Sequence, residues 1–123
     1  MIIMMPEHKV KRTAKRLQKT LDGLGIEFRY TACLELSAQL HGFENRYQYL
    51  RRDLTAPLSP FDEQLSERAF AVRDEFQVAV LDKAGLGPVA RELLDRVNPT
   101  GSWAQNAPAK KPVWEAIAGN DQL

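Results

Sequence analysis

The helical character of this chain is predicted most strongly by residues 59–83, which read SPFDEQLSERAFAVRDEFQVAVLDK. Ser59 is typical of a helix N-cap, Pro60 suits the first helical position, and the acids that follow lie at the positive end of the helix dipole. The pattern predicts a helix that runs to about Lys83 and is ended by Gly85. Apolar residues at helical spacing form one stripe along it: Phe61, Leu65, Ala69, Val72, Phe76, Ala79 and Val80.

Four further helices are predicted from apolar periodicity and from glycine and proline stops. They cover residues 7–22, 31–41, 45–52 and 89–97, with Thr31 as the N-cap of the second. No segment shows the apolar–polar alternation that a strand requires. The sequence therefore predicts an all-α fold, a small bundle of about five helices with an irregular C-terminal tail.

The chain has 123 residues and a hydrophobic content of 44%, which suits one domain with its own core. We expect the helical domain to cover residues 1–99. Residues 100–123 are rich in Gly, Ser, Asn, Ala and Pro and predict an extended tail. Because the large apolar side chains of Trp103 and Trp114 are rarely left in solvent, we expect this tail to dock on its own core or on a partner.

Cys33 is the single cysteine, which excludes an intrachain disulfide and indicates a reducing compartment. The N-terminus is apolar, but it is too short for a signal peptide and lacks a basic flank. No apolar run reaches the roughly 18 residues that a membrane span needs. The sequence therefore predicts a cytoplasmic protein without membrane contact, and its translation start is Met1, Met4 or Met5.

Charge is distributed unevenly along the chain. Residues 1–53 carry ten Lys/Arg and six Asp/Glu, whereas residues 54–123 carry seven and ten. The strongest indication of a binding partner is a ridge of basic residues on the first helix at spacing i, i+3, i+7 and i+10: Lys9, Arg12, Arg16 and Lys19. Three arginines of the predicted third helix add to this positive charge: Arg46, Arg51 and Arg52. Such a ridge suits a phosphate backbone, and the interleaved Tyr47 and Tyr49 are candidates for base stacking. The leading prediction is a non-enzymatic interaction module that contacts nucleic acid or an acidic protein surface.

Two alternatives remain open at this stage. A small enzyme or ligand-binding bundle would use a pocket near Glu35, His41 and Tyr47, with Glu35 paired to Arg29 or Arg46. A structural homodimer would use the apolar N-terminus and the tail as its interface. The sequence contains no phosphate-binding glycine loop and no zinc-type histidine spacing, so it predicts no catalytic residues, no cofactor and no metal.

Residues 34–45 read LELSAQLHGFEN and follow the basic helix that contains Lys15-Arg16-Leu17. Over residues 9–53 the chain resembles the N-terminal helical segment of bacterial, often plasmid-borne, glyoxalase-superfamily proteins. The family typically carries a Trp three residues after the Phe of its Gly-Phe pair. In this chain Tyr47, with Leu50 after it, stands four residues after Phe43, so the spacing differs by one. The resemblance implies a bacterial origin, with mobile elements as one source, and a helical interaction module. It implies no activity, because nothing later in the chain resembles the metal-binding βαβββ glyoxalase domain.

Overall fold

Regular structure in this chain is entirely helical over residues 1–102, the part that the computed structural model describes. The five α-helices are α1 Glu7–Gly23, α2 Tyr30–Leu40, α3 Arg46–Leu50, α4 Glu67–Lys83 and α5 Ala90–Val97. Short 3₁₀ turns at Asp62–Gln64 and Gly87–Val89 lead into the last two helices. The all-α prediction is confirmed, and α1 and α5 begin and end within one residue of the predicted bounds.

Two predicted N-caps are wrong. Arg29, in extended conformation, precedes α2, so Thr31 lies inside the first turn of that helix. Ser66, not Ser59, caps α4, and its hydroxyl accepts a hydrogen bond of 3.1 Å from the Ala69 N–H. The helix therefore begins seven residues later than predicted, because a 3₁₀ turn and a second serine N-cap intervene.

The expected apolar stripe of α4 is only partly covered. The side of α4 that faces the interior presents Arg73, Gln77 and Leu81. Three members of the predicted stripe, Ala69, Val72 and Ala79, are exposed, and Val72 is 51% exposed. Burying an arginine and a glutamine is tolerated here because both side chains find hydrogen-bond partners inside the fold. Tertiary partners, rather than helical periodicity, therefore select the face of α4 that packs.

The core has two parts. The larger cluster joins α1, α2, α4 and α5 through leucines such as Leu17, Leu40, Leu81 and Leu93, which are completely buried. The smaller cluster lies at the N-terminal end of α1 and consists of Ile3, Met5, Val10, Ala38 and Tyr49. The packed side of α1 follows from the helical spacing of its apolar residues, since Val10, Ala14, Leu17, Leu21 and Leu24 are all buried or partly buried.

The segment before α1 is an integral part of the fold. The Ile3 N–H donates to the His41 carbonyl at 2.9 Å, and Met4 exchanges hydrogen bonds with Ser59 at 2.8 and 2.9 Å. Ile3 is 1% exposed, so a chain that started at Met4 or Met5 would lack a core side chain. Because Ile3 and Met5 are used in this chain's own core, a homodimer interface at the N-terminus would be left mainly with Met1 and Ile2.

Gly42 provides a test of this arrangement. Its φ is +94°, and a methyl group at this position would overlap the backbone of Met1 and Ile2. We expect Gly42→Ala to lower the free energy of unfolding by at least about 2 kcal/mol, since it adds a steric clash to the cost of left-handed backbone. Gly25→Ala is the matched control, because Gly25 has φ +77° with open space around it. Equal urea midpoints for the two variants would contradict the packing of the N-terminal segment on Gly42.

The packed domain continues past the predicted boundary at residue 99. Thr100 is fully buried, and its hydroxyl donates to the Asp62 carboxylate at 2.8 Å. The Ser102 N–H donates to the Glu63 carboxylate at 2.8 Å. The predicted docking of the tail through Trp103 and Trp114 lies outside the described residues.

Candidate functional site

The solvent-facing side of α1 carries four exposed cations, Lys11, Arg12, Lys15 and Lys19, which we call the basic face. The first and last of them, Lys11 and Lys19, are eight residues apart, or about 12 Å along the helix. Lys11 forms an exposed ion pair of 3.1 Å with Glu7. No carboxylate of residues 1–102 lies within ion-pair distance of Lys15 or Lys19. The basic face thus projects positive charge into solvent.

Lys9 does not belong to this surface, which corrects the predicted ridge. Lys9 is 3% exposed, and its ammonium lies 5.4 Å from the centre of the Phe61 ring. Burial lowers the pKa of Lys9 to about 8, and the nearby carboxylates of Asp62 and Glu63 act in the opposite direction. Lys9 was misplaced because the segment that carries Phe61 covers this flank of α1. Helical periodicity alone cannot reveal such a covering segment.

Arg16 lies at the edge of the basic face and binds within the fold. Its guanidinium donates to the Arg96 carbonyl at 2.7 Å, so it satisfies an acceptor at the C-terminal end of α5. Arg96 is fixed in turn by a 2.6 Å ion pair with Glu92. A cavity of about 240 Å³ opens between Arg16, Lys19, Thr20 and Arg96. This recess presents three cations and one hydroxyl, a combination suited to an oxyanion.

The arginines of α3 lie near the start of the basic face. Arg46 is exposed and lines a cavity together with Lys11 of α1. The guanidinium of Arg51 donates to the Tyr47 hydroxyl at 3.0 Å, and that of Arg52 stacks 4.0 Å above the Tyr49 ring. Both tyrosines proposed for base stacking therefore already have arginine partners, and Tyr49 is buried.

The predicted pocket residues have separate positions in the fold. The Glu35 carboxylate accepts from the backbone N–H of Arg46 at 3.1 Å, so it binds the start of α3 instead of forming the predicted side-chain ion pair. His41 is completely buried, whereas Tyr47 is 61% exposed. None of the cavities described here has any of the three in its wall. The Glu35 carboxylate and Tyr47 therefore both lie at the start of α3, whereas His41 is enclosed in the core.

Several polar groups are buried in the interior, and the sequence did not predict their burial. His41 Nδ1 lies 2.7 Å from the Ser37 carbonyl oxygen. Burial lowers the pKa of His41 to about 4, and the charges of Lys9 and Arg73 lower it further, against the effect of the Ser37 and Pro99 carbonyls. The ring is therefore neutral at physiological pH.

A second buried polar group is the ion pair between Arg73 and Asp62, at 3.0 Å. Arg73 also donates to the Pro60 carbonyl, and Thr100 donates to Asp62 while accepting from Gln77 at 3.1 Å. These contacts hold the loop before α4 and the segment after α5 against the helices. The sequence did not reveal this role of Asp62, because an acidic residue next to a predicted helix start is already explained by the helix dipole.

Chemistry at the remaining reactive groups is limited. Cys33 is completely buried, and burial raises the pKa of its thiol, which disfavours the nucleophilic thiolate. Among the described residues, no cluster of three His, Cys, Asp or Glu side chains could hold a metal ion. Every helix within residues 1–102 is too short or too polar to cross a bilayer.

No protein-family model, no curated protein and no solved structure matches this chain. The resemblance of residues 9–53 to a segment of glyoxalase-superfamily proteins therefore stays a prediction from sequence.

Proposed function

We propose that this chain is an interaction module that binds the phosphate backbone of a nucleic acid through the basic face of α1. The observation that carries the proposal is the alignment of Lys11, Arg12, Lys15 and Lys19 on one exposed helix face. Cations spaced along about 12 Å of rigid helix can neutralise several successive phosphates and release their counterions. The recess between Arg16, Lys19 and Arg96 offers a further phosphate position at the end of this face.

The composition of the basic face favours nucleic acid over an acidic protein surface. Protein interfaces normally centre on buried aromatic or aliphatic anchors. The exposed positions of α1 between Glu7 and Gly23 are all polar or charged apart from Gly23 itself, so they provide no such anchor. Backbone binding to nucleic acid needs only charge and hydrogen-bond donors, and it is independent of base sequence.

The proposal is tested by fluorescence anisotropy with a labelled 20-base-pair DNA over a range of salt concentrations. Four phosphate contacts predict that the logarithm of the binding constant falls with the logarithm of salt with a slope of about −3 to −4. Lys15→Glu combined with Lys19→Glu should weaken binding more than about tenfold and reduce the slope by about half. Neither lysine has an ion-pair partner among the described residues, so the variant should remain folded.

Arg68→Glu combined with Lys83→Glu is the matched control, since it makes the same change in net charge on exposed positions of α4. This control should retain most of the affinity. If the two double variants bind equally well, or if affinity does not depend on salt, the assignment to the basic face is wrong. A protein partner that depends on Lys15 and Lys19, in the absence of DNA binding, would favour the acidic-protein alternative.

A further inference from the structure

An apolar groove of about 400 Å³ lies between the end of α2 and the second half of α4. Two aromatic rings line it, those of Phe43 and Phe76, and both pack against the smaller core cluster. Val80 and Ala84 continue the apolar lining along α4. A groove of this volume with mainly apolar walls is large enough to enclose an aromatic side chain.

Two further exposed apolar side chains adjoin the groove. Val72, one helical turn before Phe76, is 51% exposed. Ile2, whose backbone lies against Gly42 of the groove lining, is 52% exposed. Exposed apolar side chains that cluster around a groove mark a docking site.

A segment of the same chain has the composition to cover this groove. Residues 112–118 read PVWEAIA and lie beyond the described residues. Pro112 suits the first position of a helical turn, and the spacing of Val113, Trp114 and Ile117 predicts one apolar side on that turn. The segment therefore offers one large aromatic anchor with two aliphatic side chains beside it, the pattern with which helical segments bind apolar grooves.

The charges of this segment are complementary to those of the groove. Glu44 and Lys83 give the groove lining one charge of each sign. In the sequence, Lys111 precedes Trp114 by three residues and Glu115 follows it directly. Each charge of the groove therefore has an opposite charge close to Trp114, which favours one orientation of the bound segment.

Chain length favours the protein's own tail over a second copy as the occupant. The N–H of Ser102 donates to Glu63, and Trp114 follows Ser102 by twelve residues. Twelve residues reach up to about 40 Å when extended, whereas a domain of this length is about 34 Å across. A connection of this length gives an effective concentration in the millimolar range, about a thousandfold above that of a second copy at micromolar protein.

We propose that Trp114 of the same chain docks in this groove, with its indole ring against Phe43, Phe76 and Val80. An anchor of this size supports a dissociation constant on the order of 0.1 mM between separate molecules. At an effective concentration of about 1 mM, the docked form then predominates about tenfold. The docking is independent of the proposed nucleic-acid binding, because no cation of the basic face lines the groove.

The experiment is acrylamide quenching of Trp114 fluorescence in the full-length Trp103→Phe chain, in which Trp114 is the single tryptophan. Quenching should be about five- to tenfold weaker than in the urea-unfolded chain, because the docked ring is shielded from the quencher. The ratio should stay constant between about 1 and about 100 µM protein, since the docking is intramolecular. Nuclear Overhauser effects between the indole protons and the Val80 methyl groups should locate the ring in the groove.

Ala84→Glu tests the groove itself, because it adds a carboxylate that a docked indole would have to desolvate. Ala79→Glu is the matched control, since Ala79 is a residue of α4 outside the groove lining. Both alanines are exposed, so both variants should remain folded. Ala84→Glu should restore most of the quenching and abolish the contacts with Val80, whereas Ala79→Glu should change neither.

Quenching of Trp114 equal to that in the unfolded chain would overturn the proposal. Protection that disappears on dilution would assign the groove to a second copy, and protection that survives Ala84→Glu would place the Trp114 ring elsewhere. Either of these results would also overturn it.

Discussion

Asp62→Ala is expected to lower the free energy of unfolding by about 3–5 kcal/mol, because it leaves a buried arginine charge without its counter-ion. The Arg73 side chain is only 8% exposed, and its guanidinium lies 3.0 Å from the Asp62 carboxylate. The same substitution removes the acceptor of the buried Thr100 hydroxyl. Chemical denaturation at neutral pH measures the loss directly.

Asp74→Ala is the control for this prediction. Asp74 pairs with Arg91 at 2.7 Å, a shorter distance than in the buried pair, but the Arg91 side chain is 56% exposed. We expect a loss of about 1 kcal/mol or less, since exposed ion pairs are screened by solvent. Comparable losses for the two variants would show that the Asp62–Arg73 pair is not buried in solution.

The second large effect is a loss of stability in mild acid that originates from His41. The folded pKa is about 4, below the ordinary value of 6.5, so the unfolded chain binds the proton more readily than the folded chain. The stabilising contribution is complete above pH 6.5 and is lost as the pH falls towards 4. At about 1.4 kcal/mol per pKa unit, the loss is about 2 kcal/mol by pH 5 and about 3 kcal/mol by pH 4.

Urea denaturation at intervals between pH 7.5 and pH 5 isolates this effect. The pKa values of Glu7 and Asp53 are lowered mainly by hydrogen bonds from Lys11 and Thr55. Their contributions to the free energy of unfolding are therefore lost only at pH values below this window. Lys9 titrates near pH 8 in the folded chain, above the window. His41→Gln should flatten the pH dependence whatever its effect on absolute stability, whereas His8→Gln, at an exposed position, should preserve it. A wild-type stability that is constant from pH 7 to 5 would refute the prediction.

The helices were largely predictable because their signals are local. The spacing of Val10, Leu17 and Leu21 determines the packed side of α1, and Gly42, with φ +94°, follows the end of α2. The start of α4 was predicted wrongly because Ser59 and Ser66 are both acceptable N-caps in local sequence. The choice between them depends on the hydrogen bonds between Ser59 and Met4, which are 55 residues apart.

The candidate site was predicted less completely than the fold. Arg12 and Lys19 are exposed as expected, whereas Lys9 is buried and Arg16 binds the Arg96 carbonyl 80 residues away. Lys11 and Lys15 complete the basic face. Lys9 and Lys11 flank Val10, so helical spacing places them at equal angles from the centre of the apolar stripe and cannot tell which of the two is buried.

By itself, the sequence determined the all-α class, the approximate bounds of α1 and α5, and the concentration of positive charge in the first half of the chain. These properties depend on residues within one or two helical turns of each other. Only the tertiary structure decided which polar residues are buried, because the burial of Lys9, His41 and Arg73 depends on segments distant in sequence that cover them. The same holds for the apolar groove, whose lining comes from α4 and from the end of α2.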